Sequence, residues 1–489
     1  SLSEPGSWRN QSNIECCIIV PKKRGFKPLA ENLLQCYNKP IMTSGEKFVA
    51  FFLYFALFGF LIWFPAWLFK KAWQSWVGYV RGDFYAKQNY KLLEMRIPRG
   101  SAKSPLSMEV FLHALFQPGG EATWYDKFWK GQTKTWFSLE MVSIEGRVRF
   151  FIWTREGFAQ LIKTQLYGQF PDIEVVDVDE TGEGDYARKI NYDAGTHKAT
   201  CAEIQKKNGG HYPIRTYEGF NLHKDPKEEF KVDPITPVLE YLGSLGAGEQ
   251  AWIQIGVRAP SKETVKALPE DKVKRKAARK DKKIPWYKGH EMVDWTDAAK
   301  DEIKKLTKRD IKIDKENPPS AAEMKLTKEE EEKVAAVERQ MAKVAFETNI
   351  RIVYVAKKDN FLPANSAGIL GTFKQYNTLN LNSFELKIPN VSYPWQDPGG
   401  KKVETDKRNI FLQYQARAFF YSQFLPIGGR EGDLPKDHWK SSKHVPGKPF
   451  IMNTEELATI FHFPGDVAKT PTLTRVEAKK GEAPFNLPI

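Results

Sequence analysis

Cysteine is scarce in this sequence, with Cys16, Cys17, Cys36 and Cys201 the only four among 489 residues. So few thiols exclude a disulfide-stapled scaffold. No Cys-x-x-Cys pair and no histidine cluster has the spacing of zinc ligands either. The sequence therefore predicts no metal ion, and it places the folded part in a reducing compartment.

Catalytic motifs are scarce as well. There is no Gly-x-x-x-x-Gly-Lys-Ser/Thr loop, and the glycine-basic clusters at 399–402 and 428–432 do not stand between a strand and a helix. No serine or cysteine lies in a nucleophile elbow. The closest histidine pair, His438 and His444, lies in a Pro/Gly/Lys-rich loop without a ligand pattern. We expect no catalytic residue and no cofactor.

Positive charge does not cover the whole chain. The 74 Lys and Arg against 60 Asp and Glu give a net charge of +14. Residues 1–100 contribute +8 of it (14 basic, 6 acidic) and residues 261–344 contribute +5 (23 basic, 18 acidic). A dedicated nucleic-acid binder usually carries a more general basic surface. The length suggests about three domains.

One long hydrophobic run stands out, at residues 48–69. It contains no charged residue over 22 positions and is bounded by Lys47 and by Lys70-Lys71. A helix of that length spans about 33 Å, enough for a hydrocarbon core of about 30 Å. The run therefore predicts a membrane-spanning helix with the lipid bilayer as a partner. Its bulky aromatic members include Phe48, Phe52, Phe55, Phe60, Trp63 and Phe69.

The flanks of the run predict its orientation. Lys39 and Lys47 precede it, whereas four basic residues follow within 20 positions, so the large C-terminal part is expected in the cytoplasm of a single-pass membrane protein. Aromatic residues then continue, which suits a helix leaving through the headgroup layer, although packing of these rings against the protein is the alternative. They are Trp73, Trp76, Tyr79, Phe84 and Tyr85.

Residues 92–180 have the pattern of a small α+β module. Short alternating strands and amphipathic helices follow in the order strand, helix, strand, strand, helix, strand. Ser104 before Pro105 predicts the start of the first helix, and Glu145-Gly146 predicts a tight hairpin turn. This order is typical of the ferredoxin-like split βαβ fold.

A second module of the same order is predicted over residues 211–387. Its first strand is placed at 212–222, and residues 261–344 are an insertion where the first module has a two-residue turn. Sparse apolar residues at helical spacing in this charged insertion favour two antiparallel helices, with an unstructured charged loop as the alternative. The remaining strands are placed at 251–257, 348–355 and 379–386, and the helices at 234–245 and 364–376.

The C-terminal part, residues 388–489, is predicted to hold a helix at 409–424, a second helix near 453–464 and an extended tail. Asn453 followed by Glu456 forms a capping-box pattern at the start of the second helix. Its apolar face is a candidate interface for a partner protein. The candidate interface residues are Leu457, Ile460, Phe461, His462 and Phe463.

An RNA-binding sheet face has to be considered for a ferredoxin-like module. Phe151 and Trp153 lie two apart on the predicted third strand, as in the RNA-recognition consensus. A second aromatic strand that would complete the platform is not apparent. A face covered by a partner or by another domain is the favoured interpretation.

Two stretches carry a resemblance to a known family. The segment LEMRIPRGSAKSPL at 93–106 resembles the region after the membrane helix in large conjugation-type ATPases of small-genome, uncultured bacteria. NTEELATIFHFP at 453–464, TPTLTRVEAKK at 470–480 and NLP at 486–488 resemble the run before their motor domain. Those proteins are similar to type IV secretion ATPases and coupling proteins. The resemblance covers most of residues 45–489 and implies a membrane anchor for a DNA-transfer motor, here without the ATPase domain.

The sequence as a whole predicts an α+β membrane protein. A juxtamembrane segment (1–47) precedes the transmembrane helix (48–69), an interfacial linker (70–91) and the two ferredoxin-like modules. The expected function is a non-catalytic scaffold that recruits a separate ATPase within an oligomeric secretion or DNA-transfer assembly. The alternative is a membrane-tethered protein that binds nucleic acid through the charged insertion. A membrane-bound enzyme is a third interpretation, disfavoured because no catalytic constellation is found.

Overall fold

The structure is a computed structural model of the chain. It describes residues 44–98, 104–121, 123–179, 182, 184–192, 195–220, 222, 233–260, 263–265, 291–293, 295–307, 326–390, 393–420, 449–464 and 475–476. Most of the predicted segment 1–47 therefore lies outside the described residues. The chain divides into two compact units, Ser1–Gln74 and Ser75–Ile489.

A single long helix, α1, covers Ser44–Ala86 and includes Pro65. It contains the whole predicted span at 48–69, and most of the predicted linker at 70–91 continues it as helix. The first strand begins at Tyr90, two residues before the predicted start of the first module.

The first repeat of the fold runs from Tyr90 to Asp177 and has the predicted order of elements, with one short helix at Trp124–Phe128 that was not predicted. Its middle strands are joined by the predicted tight turn, in which Glu145 and Gly146 both adopt positive φ (52° and 80°). Positive φ at both central positions matches the right-handed twist of the flanking strands. Its elements are β1 (Tyr90–Pro98), α2 (Pro105–Ala114), α3 (Trp124–Phe128), β2 (Trp136–Ile144), β3 (Arg147–Arg155), α4 (Glu156–Gln169) and β4 (Glu174–Asp177).

The second repeat runs from His197 to Lys387, and its first strand is not where the sequence placed it. Where residues 212–222 are described, they form irregular backbone and turns, and the strand is β5, His197–Lys206. Charged residues within β5, such as Glu203, hid it, because a half-buried strand is expected to alternate apolar with polar residues. Four other elements lie close to their predictions: α5 (Thr236–Gly243), β6 (Glu249–Arg258), β9 (Ala345–Lys357) and α8 (Pro363–Thr372). The closing strand, β10 (Phe384–Lys387), begins five residues later than predicted.

The insertion between β6 and β9 contains the two predicted helices. They are α6 (Trp295–Thr307) and α7 (Lys328–Ala342), and they contact each other. Thr327 and Glu330 cap α7 reciprocally, which satisfies donors at the helix start. Two short strands that were not predicted, β7 (Glu263–Val265) and β8 (Glu291–Val293), pair with each other.

The region after β10 adds a helix and strands to the same fold. Helix α9 covers Lys401–Gln415, so the predicted helix at 409–424 was placed too far along the chain. Strand β11 (Phe450–Asn453) pairs with β9 and leads directly into α10 (Thr454–Ile460). Strand β12 (Arg475–Val476) pairs in parallel with β1, so this part of the predicted extended tail belongs to the sheet.

The two repeats share one large, mainly antiparallel sheet. The order is β10-β5-β9-β6-β2-β3-β1-β12, with β4 also on β1 and β11 also on β9. Each repeat contributes four strands, and β2 pairs with β6 across the whole of β2, from Trp136–Arg258 to Ile144–Gln250. We call this β2–β6 pairing the seam. Glu140 and Gln254 face each other at its centre.

Both faces of the sheet are covered. On the helical face, the predicted alternating residues Phe137, Leu139 and Met141 are buried in one large core with side chains of α2, α4, α5, α8 and α10. On the opposite face, α9 and residues 186–192 cover a second core around Trp252, which is fully buried. The fold is thus a mixed α+β arrangement, as predicted, with a large antiparallel sheet between two covering layers.

Candidate functional site

The candidate interface residues near the C-terminus lie inside the protein. All seven residues of α10 are buried, and the five candidates Leu457, Ile460, Phe461, His462 and Phe463 are at most 3% exposed. Phe461 and Phe463 pack edge-on against Phe150 of β3. The apolar face of this helix therefore completes the core of its own chain, and these side chains are not available to a separate motor protein.

The capping box predicted at the start of α10 is present and carries an ion pair. Asn453 and Glu456 cap each other's backbone amides. The Glu456 carboxylate also lies 2.7 Å from the Lys206 ammonium on β5, with both side chains at most 1% exposed. It accepts further hydrogen bonds from the Ile214 amide (2.8 Å) and the Gln340 side chain (2.7 Å). One carboxylate thus joins β5, α7, α10 and the loop at Ile214.

A second cluster of charges lies beside this pair. The Lys343 ammonium lies 2.9 Å from Glu109 of α2 and 2.8 Å from Glu455 of α10. Burial lowers the pKa of Lys343, but the two carboxylates outweigh it and raise the pKa above its ordinary value. Tyr217 donates to Glu109 over 2.8 Å, and burial together with that carboxylate raises the tyrosine pKa far above its ordinary value.

His462 takes part in a buried pair of its own. Its Nε2 lies 2.9 Å from an Asp233 carboxylate oxygen, and its Nδ1 lies 2.8 Å from the Ala458 carbonyl oxygen. This arrangement uses both ring nitrogens. The histidine predicted as an interface residue therefore ties the end of α10 to the segment before α5.

A larger polar network lies at the centre of the seam, on the face covered by α9. The Arg417 guanidinium binds Glu140 of β2 through two hydrogen bonds (2.9 and 3.1 Å) and Asp185 through two more (2.6 and 3.1 Å). Its remaining N–H group points at the Gln415 carbonyl oxygen, 3.3 Å away. All five guanidinium donors are used, the geometry that makes arginine suited to bidentate carboxylate binding.

Several neutral groups complete this network around Glu140. Ser138, Gln254 and Tyr186 donate to its carboxylate over 2.6, 3.0 and 2.8 Å. The Tyr186 and Tyr414 hydroxyls lie 2.8 Å apart, and burial followed by the charge of Glu140 raises both tyrosine pKa values well above the ordinary range. Arg417 thus binds one carboxylate, that of Glu140, within the seam between the two repeats and a second, that of Asp185, directly against the seam.

The backbone of Arg417 is strained to make these contacts. It adopts a φ of +51° directly after α9, where its amide donates to Tyr414 and the next amide donates to Gln413. This is a Schellman ending, in which glycine usually occupies the left-handed position. Arginine there costs about 1 kcal/mol of backbone strain relative to glycine, so its side-chain contacts must outweigh that cost.

The same polar row extends across neighbouring strands. Arg351 of β9 faces Gln254 and also Glu203 of β5, to which its Nε donates over 3.0 Å. The Phe419 ring covers the Arg351 guanidinium at 4.6 Å. Burial lowers the pKa of Arg351, and Glu203 opposes that effect. A line of paired charges thus crosses the second face of the sheet beside the apolar core around Trp252, and α9 and the residues after it close it off from water.

The proposed RNA-binding aromatics belong to this covered face. Phe151 is 3% exposed and stacks on Tyr186 with ring centroids 5.1 Å apart. Trp153 stacks on Tyr90 at 4.4 Å. Bases cannot reach Phe151, so the RNA interpretation of this strand is wrong, and the covering layer is the chain's own residues 186–192.

A cleft of about 320 Å³ opens beside the Lys206–Glu456 pair. It lies between α7 and the start of α10, and it is lined by Ile214, Arg215, Arg339, Gln340 and Glu455 among others. Arg339 is paired with Glu218 at 2.7 Å. Among the residues that the structure describes, no group of three or more His, Cys, Asp or Glu side chains is placed to hold a metal ion.

The predicted membrane-span residues all lie in α1. The side chains of Phe48, Phe52 and Phe55 are outside the described residues. Those of Phe60, Trp63 and Phe69 are 57%, 77% and 70% exposed. Taken over the described part of the chain, no helix combines the length and the apolarity that a membrane crossing requires.

The aromatic residues that follow the run divide into two groups. Tyr85 is 3% exposed and donates a hydrogen bond to Thr133 over 2.8 Å, so it packs against the protein. Trp76 and Tyr79 are 39% and 71% exposed. Nothing in the sequence pattern separates these groups, because the separation depends on where the loop before β2 contacts α1.

Comparison with known proteins identifies a family for the chain. No curated protein matches the chain. A family model described as a domain of unknown function, DUF8128, matches residues 86–475, which include both repeats and the seam. The chain therefore belongs to the DUF8128 family.

Proposed function

We propose that the protein is a membrane-anchored scaffold that holds a separate ATPase at the membrane in a secretion or DNA-transfer assembly. The observation that carries the membrane part is the exposure of bulky apolar side chains along α1. They are Tyr54, Phe58, Phe60, Leu61, Trp63, Phe64, Trp67, Leu68 and Phe69, between 41% and 77% exposed. Consecutive residues such as Phe60 and Leu61, or Trp67 to Phe69, lie on different faces of a helix. A soluble helix exposes its polar face instead.

We also infer that each repeat is a ferredoxin-like module. The strand order β4-β1-β3-β2 in the first repeat and β10-β5-β9-β6 in the second support this inference, as does the order of helices between the strands. Such modules often act as rigid bodies on which other functions are built, so the fold alone does not argue for a reaction.

The scaffold role is supported by the pairing of buried charged groups within the unit Ser75–Ile489. The buried charges of Arg417, Arg351 and Lys206 are each neutralised by a carboxylate within 3.0 Å. Charged groups paired in this way hold elements together across the seam and between layers. The partner ATPase is proposed from the resemblance of residues 93–106 and 453–464 to conjugation-type ATPases.

The anchor is tested by flotation of the full chain with lipid vesicles after an alkaline wash. Leu61→Arg with Phe64→Arg places two charges within the apolar run, and each costs about 2.5–3.5 kcal/mol at the centre of a membrane helix. We expect this variant to stay with the soluble fraction. Leu362→Arg, on an exposed residue of the body, is the matched control and should float like the wild type. Equal flotation of both variants would contradict the anchor.

The partner is tested by co-expressing the full chain with the Walker-motif ATPase encoded nearest its gene. We expect the two proteins to co-purify in detergent and the pair to persist at high salt. Removal of α10 is not a usable control, because this helix belongs to the core. If the ATPase does not bind, and DNA binds instead with an affinity that falls steeply with salt, the scaffold role is wrong and the nucleic-acid alternative replaces it.

A further inference from the structure

A cluster of exposed aromatic rings lies on the body of the protein, within the unit Ser75–Ile489. Trp124, Tyr125 and Trp129 belong to α3 or follow it and are 59%, 58% and 47% exposed. Trp76 and Tyr79, on the last part of α1, are next to them. We call these five residues the aromatic patch.

The rings of the aromatic patch contact one another as well as the body. The Trp76 indole N–H donates to the Phe128 carbonyl oxygen over 3.1 Å, and its ring meets Trp129 edge-on at 5.5 Å. Trp124 in turn meets Trp129 at 6.3 Å. The patch is therefore a built surface of rigid rings, not a set of scattered side chains.

Backbone contacts fix α3 against α1 directly below the patch. Gly131 adopts a φ of +64°, and a Cβ atom at this position would overlap the Val80 carbonyl group. Only glycine allows both this conformation and this close approach. The position of α3 relative to residues 75–86 of α1, which belong to the same unit, is thus set by the sequence.

Charge around the aromatic patch is present but balanced. Lys130 pairs with Asp126 at 3.0 Å, and Lys127 pairs with Glu121 at 3.5 Å. A surface that binds acidic partners by electrostatics would carry an excess of basic residues. The rings, with their indole N–H and hydroxyl groups, are the main feature that a partner would contact.

The composition and the place of the aromatic patch point to lipid as its partner. Trp and Tyr are enriched at the membrane–water interface, where an apolar ring and a polar edge are both accommodated. Trp76 follows Phe69, the end of the apolar run, by seven residues in the same helix. A large aromatic surface exposed to water is unfavourable, and such surfaces usually mark a site of contact with a membrane or another protein.

We propose that the aromatic patch is a second membrane contact, which lies in the headgroup layer of the same bilayer that α1 crosses. This proposal rests on the membrane anchor proposed above. Because Lys127 and Lys130 beside the aromatic patch are paired with carboxylates, insertion depends on the rings and does not require anionic lipid. The patch would hold the α3 side of the body against the membrane and restrict rotation of the body about α1.

The test uses the full chain with Cys16, Cys17 and Cys36 replaced by serine. Cys201 stays, because it is buried and burial raises the pKa of its thiol to about 12, so it does not react with the label. An environment-sensitive fluorophore is attached at Tyr125→Cys, or at the control position Leu379→Cys, a fully exposed loop residue. Each protein is reconstituted into phosphatidylcholine vesicles that contain nitroxide-labelled lipid.

We expect a blue-shifted emission and at least about twofold quenching by shallow nitroxide lipid at position 125, with neither effect at 379. Adding Trp124→Ala and Trp129→Ala to the labelled Tyr125→Cys protein should reduce both effects. If label 125 is instead quenched by aqueous iodide as strongly as label 379 in protein that floats with vesicles, α1 still anchors the chain but the second contact is wrong.

Two further outcomes overturn the proposal. Shielding at position 125 that disappears when the protein is diluted in lipid would show that the aromatic patch is an interface between two copies of the chain. Failure of the labelled Leu379→Cys chain to float with the vesicles would overturn the membrane anchor and the second contact together.

Discussion

The buried pair of Lys206 and Glu456 allows a quantitative test of how α10 is held. The charged atoms lie 2.7 Å apart, and both side chains are at most 1% exposed. Glu456→Gln keeps the size of the side chain but leaves the Lys206 ammonium buried without its counter-ion. Breaking a buried pair from one side costs about 3–5 kcal/mol, so we expect a loss of that size in the free energy of unfolding.

The opposite variant, Lys206→Met, should cost less. The Glu456 carboxylate keeps the amide donors of Ile214, Asn453 and Gln340, so its charge remains solvated by hydrogen bonds. We expect a loss of about 3 kcal/mol. In the double variant K206M/E456Q neither charge is present, and we expect its loss to fall short of the sum of the single losses by at least about 2 kcal/mol.

A pH series separates the charge effect from packing. Burial lowers the pKa of Lys206 below its unfolded value of 10.5, while Glu456 acts in the opposite direction. As pH rises, the folded chain therefore loses the Lys206 proton at a lower pH than the unfolded chain does. The contribution of Lys206 to the free energy of unfolding rises with pH up to 10.5. Glu456→Gln removes the opposing charge, so the pKa of Lys206 falls further and this variant should recover stability relative to the wild type as pH rises towards 10.5. The double variant K206M/E456Q should show no such recovery, because it lacks the lysine that titrates.

Urea titration of the detergent-solubilised full chain, followed by near-ultraviolet circular dichroism, measures these free energies. Losses that add to within about 0.5 kcal/mol would refute the reasoning, because independent sites behave in that way. So would a single-variant loss below about 1 kcal/mol, since that is the size expected of an exposed pair.

Three further outcomes follow from the structure. Gly131→Ala should cost more than about 1–2 kcal/mol, because it adds a clash with Val80 to the strain of positive φ, and thermal unfolding would report it. Arg417→Gly relieves about 1 kcal/mol of backbone strain but leaves the buried Glu140 carboxylate and the partly buried Asp185 carboxylate without the guanidinium that they share, so we expect a net loss of about 3 kcal/mol; an unchanged melting temperature would contradict this. Tyr186 and Tyr414 have raised pKa values in the folded chain, so they stay protonated at pH values at which the unfolded chain ionises them. The free energy of unfolding should therefore fall as pH rises above about 10. Tyr186→Phe should reduce that alkaline slope.

The sequence predicted the elements whose apolar residues follow one period. The strand with Phe137, Leu139 and Met141 was found because alternate residues face the helical core. The capping box of Asn453 and Glu456 was found because it is a local signal. What the sequence did not predict is that the helix after this capping box is buried on every side, since its apolar face could equally have met a partner.

The polar networks were missed because their members are distant in sequence. Glu140 and Arg417 are separated by 277 positions, and the packing of α9 over the sheet brings them together. A signal was available, however. Glu140 is the single charged residue of β2, and Arg351 and Glu203 lie in the interiors of β9 and β5, where a charge buried on the sheet requires a partner. Such isolated charges predict pairing, but which charge meets which depends on strand order.

The seam also determines which parts of the chain can be cut away. Strands β2 and β6, nine and ten residues long, close off each other's hydrogen-bonding groups. With the seam intact, the outermost strands of the two repeats are β4 and β10, each four residues long and carrying charged residues, and short charged edges resist pairing with other chains. Separating the repeats would uncover a long unpaired strand on each half and invite aggregation. Truncations that aim at a soluble, folded fragment should therefore keep residues 90–464 together.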